Sequence, residues 1–255
     1  MRTTLLLLAA CLAAPAYAQS TRMMMPEGTY DASLGVTLAV TPHANRDGSN
    51  SGSLVPALDV QWSNGIFVYA GLEEIAAGWH LSDNPVLSYG PLLSVSGRDQ
   101  RGDAPEQRGG KSIQKGGFFN WHAAYNIEIG GELLAGGGID GGGAMANARI
   151  QYNMPLAAHH SVTATAGMYL VDHSWMQGYF GVTPAQAIAG GNPQYRASAG
   201  VFYTYGDLEW HWQVANKYWL YSGVRVSRLG DSPAHSPLAG DRTRVHLRTT
   251  LNYHF

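Results

Sequence analysis

The last eleven residues of the chain alternate without interruption between two kinds of side chain. One set is mainly apolar and ends on an aromatic residue: Val245, Leu247, Thr249, Leu251, Tyr253 and Phe255. The residues between them are polar: His246, Arg248, Thr250, Asn252 and His254. Because a β-strand places successive side chains on opposite faces, this pattern predicts a strand with one apolar face and one wet face.

A terminal strand of this kind resembles the closing strand of a bacterial outer-membrane barrel. The resemblance implies that Leu251, Tyr253 and Phe255 form the signal read by the barrel-assembly machinery. In such a barrel the outward face contacts hydrocarbon and the inward face contacts water. The strand therefore favours an all-β, antiparallel up-and-down transmembrane barrel in the outer membrane, with lipid as its immediate partner.

The first residues of the chain have the features of a secretory signal peptide, residues 1–18. Arg2 supplies a positive charge, residues 5–14 form an apolar run too short to span a bilayer, and Ala16-Tyr17-Ala18 is a small-x-small cleavage site. The alternative is a lipobox at Leu8-Ala9-Ala10-Cys11, which would leave Cys11 lipidated. Cleavage after Ala18 leaves no cysteine, so disulfide bonds then contribute nothing to stability.

The composition agrees with a membrane barrel. Charged residues make up 13% of the chain, about half of the usual share. The chain also contains 32 Gly, 14 Tyr and 7 Trp. Lipid-facing positions exclude charge, turns need glycine, and aromatic girdles lie at the two membrane interfaces. The net charge of −2 gives no nucleic-acid footprint. The alternative class is a periplasmic β-sandwich or a lipocalin-like barrel.

Period-two runs bounded by turn residues predict thirteen strands, whereas bacterial single-chain barrels have an even number. The predicted runs are 30–40, 54–63, 65–72, 75–81, 86–97, 118–129, 131–139, 144–153, 161–171, 195–205, 208–215, 218–229 and 243–255. The apolar phase slips by one residue across Gly206-Asp207, which is typical of a β-bulge. We therefore expect one strand over about 197–215, twelve strands in all, and both termini in the periplasm. The alternative is a hairpin at Gly206-Asp207, with one strand too many counted within 65–81.

Glycine pairs predict tight turns at Asn64-Gly65 and Gly130-Gly131, and two glycine triplets predict a hairpin tip near Asp140. Long connections are expected outside the cell, at 41–53, 98–117, 172–194 and 230–242. The chain then divides into a signal peptide, a periplasmic tail over 19–29 and a barrel over 30–255.

Two segments carry a more specific resemblance. One is Tyr179-Phe180-Gly181-Val182 followed by Thr183-Pro184-Ala185-Gln186-Ala187, and the other runs from Arg228 to Leu238. They resemble motifs of the MipA/OmpV family, the MltA-interacting or scaffolding proteins of the outer membrane. Thr183 replaces the usual serine, and Ser232-Pro233-Ala234-His235 replaces a commoner AAD run. The matching motif residues are Tyr179, Phe180, Gly181, Val182, Arg228, Leu229, Gly230, Asp231, Ser236 and Pro237.

Thr183 before Pro184 is an N-cap followed by proline at the first helical position, so a short helix is predicted there. We expect it in an extracellular loop over or in the barrel mouth, with Tyr179 and Phe180 anchoring its apolar face. The alternative is that these residues pack a lid and bind nothing.

The family resemblance implies a non-enzymatic scaffold that links the outer membrane to a lytic transglycosylase and a peptidoglycan synthase. Other members are described as adhesins or as proteins affecting permeability and drug response. A scaffold needs periplasmic surface, for which the candidates are the tail over 19–29 and the turns near 153–160 and 215–218.

Two other function classes compete with the scaffold. A lipid-modifying hydrolase would need a Ser–His pair, but His173-Ser174 and His235-Ser236 are adjacent residues, and no G-x-S-x-G elbow occurs. His159-His160 lacks the partners of a metal site, so neither a metal nor a cofactor is predicted. A narrow pore for small solutes is the third class. Its candidate lumen residues are Asp59, His122, Glu128, Arg196, Arg225 and Arg248.

Overall fold

The computed structural model describes residues 25–41, 51–72, 74–82, 84–96, 112–138 and 141–255. In these residues twelve antiparallel strands form a closed barrel, because β1 pairs with β12. The strands are β1 Tyr30–Thr41, β2 Ser51–Trp62, β3 Ile66–Ala70, β4 Glu74–Trp79, β5 Leu87–Ser96, β6 Ser112–Ala124, β7 Ile127–Gly137, β8 Gly143–Ala157, β9 His160–Val171, β10 Gly200–Ala215, β11 Tyr218–Leu229 and β12 Thr243–His254. Three short helices are α1 His173–Phe180, α2 Pro184–Gly190 and α3 Asp231–Ala234.

The predicted fold class and strand number are confirmed. Every strand pairs with its neighbours in sequence, and Leu34 opposite Tyr253 belongs to the register that closes the barrel. Several expectations lie outside the described residues: the signal peptide with Cys11, the hairpin tip at Asp140, and most of the loops expected at 41–53 and 98–117.

The two ends of the barrel differ. At one end, called the turn end, the connections at 63–65, 125–126, 158–159 and 216–217 are short, and 80–86 is the longest; both barrel termini lie there. At the opposite end, called the loop end, the described connections include 172–199, which carries α1 and α2, and 230–242, which carries α3. The two connections that carry helices therefore flank the β10–β11 pair, since 172–199 precedes β10 and 230–242 follows β11.

The outer surface of the barrel is apolar. Leu54, Ile113 and Leu133 expose 73%, 66% and 66% of their surface, as expected for side chains that contact hydrocarbon. Exposed aromatic residues collect toward the turn end: Tyr30, Trp62, Trp79, Trp121, Tyr125, Tyr218 and Phe255. Such a ring matches an interfacial aromatic girdle. Among the described residues, none of the helices has the length and hydropathy to cross a membrane.

Strand β10 is continuous, as expected, but the bulge predicted at Gly206 is wrong. Gly206 lies opposite Val226 and Asp207 opposite Arg225, so the register there is unbroken. Irregularities occur instead near Gln213 in the pairing with β11, and between Val201 and Tyr203 in the pairing with β9.

The apparent phase slip in β10 has a different physical cause. The inward positions hold buried aromatic residues near the loop end, Tyr203 and Tyr205, and charged residues further along, Asp207 and Glu209. The outward positions are apolar only in the second half of the strand, from Leu208 onwards. The apolar pattern changes face because the lumen itself is apolar beneath the helices.

The turn predicted at Gly130-Gly131 is also wrong. Both glycines lie within β7, and the turn between β6 and β7 is at Tyr125-Asn126. A Cβ on Gly130 would lie 2.8 Å from the Arg149 guanidinium carbon, so this glycine makes room for a lumen side chain. The turn at Asn64-Gly65 is present, and Gly65 has a positive φ of 86° that suits glycine.

Candidate functional site

Helix α1 lies at the loop end with its apolar side chains buried among the ends of the strands. It begins at the N-cap Asp172, whose carboxylate accepts a hydrogen bond from the Trp175 backbone N–H at 2.8 Å. Met176 and Phe180 are fully buried, and Tyr179 exposes only 1% of its surface. The helix therefore packs as a plug in the barrel mouth, and we call residues 173–180 the plug helix.

The plug helix joins a cluster of aromatic side chains from the barrel wall. The ring of Trp175 lies 4.4 Å from the ring of Tyr179 and 4.6 Å from the ring of Phe202, measured between centroids. The rest of the buried cluster is Val171, Met176, Phe180, Ala197, Tyr203, Tyr205 and Leu229. Removing this much apolar surface from water holds the helix in place.

Glycines of the β7–β8 hairpin make room for the plug helix. A Cβ on Gly143 would lie 2.8 Å from the Trp175 Cβ, and one on Gly137 would lie 3.2 Å from the Trp175 ring. The glycine triplets that predicted a hairpin tip thus also permit close approach of a helix.

The helix predicted after Thr183 is present as α2. Thr183 and Gln186 form a reciprocal capping box, and Pro184 occupies the first turn. The expectation that Tyr179 and Phe180 anchor this helix is wrong, because they belong to the plug helix and no residue of α2 is buried. Val182, between the two helices, forms a β-bridge with Tyr195 that turns the chain back toward β10.

The two motif segments lie against each other. The Ser236 hydroxyl donates a hydrogen bond of 2.6 Å to the Phe180 carbonyl, and the Tyr195 hydroxyl donates one of 2.6 Å to the Ser232 carbonyl. Leu229 is part of the buried cluster. The two motif segments, although far apart in sequence, thus form one packed unit across the mouth.

The remaining motif residues have individual positions. A Cβ on Gly230 would lie 2.0 Å from the Val201 carbonyl oxygen, and one on Gly181 would lie 2.4 Å from the Gln177 backbone carbonyl oxygen, so both positions require glycine. Asp231 is exposed and accepts a hydrogen bond of 2.5 Å from Arg242. Pro237 is half-buried, and Arg228 is exposed on the outward face of β11.

Below the plug, an ion-pair network crosses the lumen wall of β10, β11 and β12. The Arg248 guanidinium donates to both oxygens of Asp207, at 2.7 and 2.8 Å, and to Glu209, at 2.6 and 2.9 Å. Arg225 donates to Asp207 at 2.9 Å and lies 4.8 Å over the Tyr205 ring. His211 contacts Glu209 at 3.0 Å. The two guanidinium groups of Arg248 and Arg225 balance the two carboxylates of Asp207 and Glu209, so the array is nearly neutral and rigid.

A second network lies on β6, β7 and β8. Arg149 donates to the side-chain amide oxygen of Asn120 at 2.7 Å and lies 3.4 Å from Glu132 and 3.8 Å from Glu128. Glu128 also lies 3.6 Å from His122. One guanidinium thus serves two carboxylates.

A third inward cluster lies on β3, β4 and β5. Tyr69 donates a hydrogen bond to Glu74, and Ser94 donates to the other oxygen of Glu74 at 2.5 Å. Buried apolar side chains beside them also fill the lumen: Phe67, Ala76, Leu92 and Leu134.

The structure places five of the six candidate lumen residues on inward positions, namely Asp59, His122, Glu128, Arg225 and Arg248. Arg196 was expected in the lumen but is exposed in the connection between α2 and β10. The strand begins only at Gly200, because the Ser198 backbone N–H is bonded to Ser232 and the chain is still tied to the loops there.

Sequence reasoning missed Arg149, the centre of the second network, and three carboxylates of the two networks, Glu132, Asp207 and Glu209. Their signal was available, since each is a charged residue at a polar position of an alternating strand. The alternation indicates the face of a residue, but not which residues of other strands it meets.

The Ser236 hydroxyl and the His235 ring are each bonded elsewhere and do not form a nucleophilic dyad in the structure. The Ser236 hydroxyl donates to Phe180 and accepts from the Leu238 backbone N–H at 3.1 Å, while the His235 ring contacts the Asp231 carbonyl at 2.7 Å. His160 stacks outward on Trp210 and Trp212. Within the described residues, no group of three or more His, Cys, Asp or Glu side chains could hold a metal ion.

The C-terminal residues lie on the outer surface at the turn end. Phe255 is 66% exposed, contacts Tyr253 edge-on at 5.1 Å between centroids, and donates its backbone N–H to Ala32 at 3.1 Å. Leu251 is half exposed on the same face.

A model of the family described as "MltA-interacting protein MipA" matches residues 34–255 of the chain. The chain belongs to the MipA family. In this family member, the matched region includes all twelve strands in whole or part, together with the plug helix and both motif segments.

Among solved structures, this MipA-family chain is similar to the NanC porin, with 9% sequence identity and a TM-score of 0.50 over 86% of this chain and 98% of that one. It is also similar to a bacterial polysaccharide outer-membrane secretin, with 12% identity and a TM-score of 0.50 over 88% of this chain and 98% of that one. These likenesses show the barrel fold alone. No curated protein matches the chain in sequence.

Proposed function

We propose that the protein is an outer-membrane barrel closed to solutes, which serves as a non-enzymatic scaffold for a lytic transglycosylase and a peptidoglycan synthase at its periplasmic end. The observation that carries the closed barrel is the plug helix, whose four apolar side chains Trp175, Met176, Tyr179 and Phe180 are at most 3% exposed. The transglycosylase partner is suggested by the family description, "MltA-interacting protein", and the synthase partner by the family resemblance of the sequence motifs.

The membrane location is supported by the outward surface. Large apolar side chains such as Leu54 and Leu133 would be costly to expose to water in such numbers, whereas hydrocarbon accepts them. In bacterial barrels of this type short turns face the periplasm and longer loops face outside. We therefore assign the turn end to the periplasm and the plug helix to the outer side.

A rigid wall is what a scaffold requires. The ion-pair networks around Arg248 and Arg149 join strands that are not adjacent in sequence, such as β10 with β12. The chain before β1 is also held at the turn end, because the Gly28 backbone N–H donates to the Ser63 hydroxyl at 3.0 Å. The candidate docking surface comprises residues 26–29 and the turns at 158–159 and 216–217.

The binding test uses the purified barrel as bait for a purified lytic transglycosylase of the same cell and, separately, for its peptidoglycan synthase. We expect saturable binding of the transglycosylase, weakened at least tenfold by charge reversal in the turn at 216–217, Lys217→Glu. The matched control is Arg242→Glu in the loop at 230–242, at the other end of the barrel. Failure of both enzymes to bind the wild-type barrel would refute the scaffold role.

A narrow pore for small solutes is the second candidate, because inward residues such as Asp59 are exposed to water near the turn end. Planar-bilayer recordings separate the two functions. We expect no unitary currents from the wild-type barrel, because the plug helix fills the mouth. Steady unitary currents from the wild-type protein would contradict the closed barrel and favour the pore function.

A further inference from the structure

One residue of the family motif, Arg228, takes no part in the packing that closes the mouth. Its neighbours Ser227 and Leu229 are buried on the inward side of β11, whereas Arg228 is exposed on the outward face. The acid nearest to it in the chain, Asp231, is bonded to Arg242 at 2.5 Å. This motif position therefore presents a positive charge to the surroundings of the barrel.

Arg228 lies at the level of the outer membrane interface. Tyr218, at the other end of β11, belongs to the exposed aromatic ring at the turn end. Arg228 follows it by ten residues, and a strand tilted by about 40° rises about 26 Å over that length. This rise is close to the height of the apolar band of an outer-membrane barrel, about 25 Å. The guanidinium is thus placed among lipid headgroups, where an outward arginine costs far less than at the bilayer midplane.

Threonine hydroxyls flank Arg228 on both neighbouring strands. In the register, Arg228 lies opposite Thr204 of β10 and opposite Thr243 of β12, and both threonines are exposed. Residues opposite one another in neighbouring strands share a face, so all three side chains point outward. A guanidinium between two hydroxyls offers several hydrogen-bond donors to one anionic group, and bonds between guanidinium and phosphate are strong.

Nearer the turn end, the outward face has an apolar groove of about 410 Å³, which we call the outer groove. Its floor holds the small side chains of Ser222 and Thr249, whose hydroxyls lie 3.3 Å apart and bond to each other. Large apolar side chains form its two sides, namely Leu208 and Trp210 on β10, Leu247 on β12 and Leu38 on β1. The volume lies within the range of ligand clefts, about 300–1,000 Å³.

The surface between the outer groove and Arg228 is open on the β10 side. Gly206 lies between the outward residues Thr204 and Leu208, and no described atom beyond its chain neighbours comes within 4 Å of the place that a Cβ would take. Val224, which lines the groove, precedes Arg228 by four residues, about 14 Å along the strand. The cation and the groove therefore follow one another across the outer leaflet in the same order as the phosphate and the acyl chains of a lipid.

We propose that Arg228 and the outer groove bind a phosphorylated glycolipid of the outer leaflet, with a phosphate on the guanidinium and an acyl chain in the groove. Basic side chains at a membrane interface bind anionic headgroups, and the groove adds apolar contact that a headgroup alone lacks. A lipid without phosphate keeps the apolar contact but loses the charge-assisted bond. The site uses the membrane location of the barrel and is independent of the scaffold role.

The experiment titrates the purified full-length protein, in an uncharged detergent, with lipid A, and native mass spectrometry counts the bound lipid molecules. We expect saturable binding of lipid A that weakens as salt is added, since the headgroup contact is exposed. Arg228→Gln should bind at least about tenfold more weakly, because a charge-assisted bond is lost. The matched control is Lys115→Gln, which removes an exposed cation from the outward face of β6, away from the groove, and should bind within about twofold of wild type.

A second variant tests the outer groove without a change of charge. Ser222→Phe places a ring on the floor of the groove and should weaken binding at least about fivefold, which corresponds to lost burial of roughly one methylene group. The matched control is Ala135→Phe, which adds the same ring to the exposed outward face of β7 and should bind within about twofold of wild type. Retention of the heat-dependent gel shift shows that each variant is folded.

Three results would overturn the proposal. They are absence of saturable lipid A binding by the wild-type protein, equal affinity in Arg228→Gln, and equal binding of lipid A from which the phosphates have been removed. A dimer of the barrel that carries no lipid and that Ser222→Phe dissociates would assign the outer groove to a second copy of the chain instead.

Discussion

The Ser236 hydroxyl donates a hydrogen bond of 2.6 Å to the Phe180 carbonyl, across 56 residues of sequence. This bond joins the end of the plug helix to the connection between β11 and β12. Since Phe180 is fully buried and Ser236 is 6% exposed, water cannot replace either partner. The two motif segments are therefore one structural unit, which closes the barrel mouth.

The variant Ser236→Ala should lower the stability of the barrel by about 1–3 kcal/mol, because it leaves the buried Phe180 carbonyl without its donor. Denaturant titration followed by tryptophan fluorescence measures the change. The matched control is Ser222→Ala on the outer surface, where the hydroxyl lies 3.3 Å from Thr249 and its loss should cost less than about 0.5 kcal/mol. Equal losses of stability in the two variants would contradict the conclusion that the two motif segments form one structural unit.

The double variant Trp175→Ala/Phe180→Ala should open the mouth of the barrel. It removes the two rings of the plug helix that contact Phe202, so the helix loses its main apolar anchorage. Planar-bilayer recordings should then show unitary currents. The control is Ile188→Ala in α2, whose side chain is 88% exposed, and it should leave the barrel silent. A double variant that stays silent while folded would mean that another element closes the lumen.

The variant Arg248→Ala should cost about 3–5 kcal/mol, since it leaves Glu209 and the largely buried Asp207 short of positive charge. Exposed pairs contribute less, so Arg242→Ala, which removes the partner of Asp231, should cost less than about 1 kcal/mol. Unfolding in urea compares the two. A smaller cost for Arg248→Ala than for Arg242→Ala would show that the lumen network is not rigid.

The variant Gly167→Ala should destabilise the barrel by about 1–3 kcal/mol, because its Cβ would lie 2.6 Å from the Tyr205 ring. Gly206→Ala is the matched control, since no atom lies within 4 Å of its Cβ and alanine suits a strand better than glycine. Gly206→Ala should be neutral or stabilising by about 0.5 kcal/mol. Strong destabilisation by Gly206→Ala would contradict the regular pairing at this position and favour the bulge predicted there.

Deletion of Phe255 should slow insertion of the barrel in cells, because the exposed terminal aromatic is the proposed assembly signal. The amount of heat-modifiable protein in outer-membrane fractions measures this. Refolding in detergent should change little, since within the described part of the chain Phe255 contributes one backbone hydrogen bond and one ring contact to the fold. Normal insertion of the variant that lacks Phe255 would show that this residue is not part of the assembly signal.

The chain sequence by itself determined the barrel, the number of strands, the closing strand and the capped helix after Thr183. Each is encoded by local rules: side-chain alternation, turn residues and capping hydrogen bonds act between residues close in the chain. The same rules predicted a bulge at Gly206 and a turn at Gly130-Gly131. Both were wrong because they assume that apolar residues face lipid and that paired glycines mark turns.

Only the tertiary structure decided what fills the lumen. Tyr203 and Tyr205 pack in one buried cluster with the plug helix, so the apolar residues of this part of β10 face the lumen and not the lipid. The partners of Arg248, 39 and 41 residues away, follow from the register of strands around a closed wall. A linear pattern indicates the face on which a side chain lies, and closure of the barrel decides which side chains it meets.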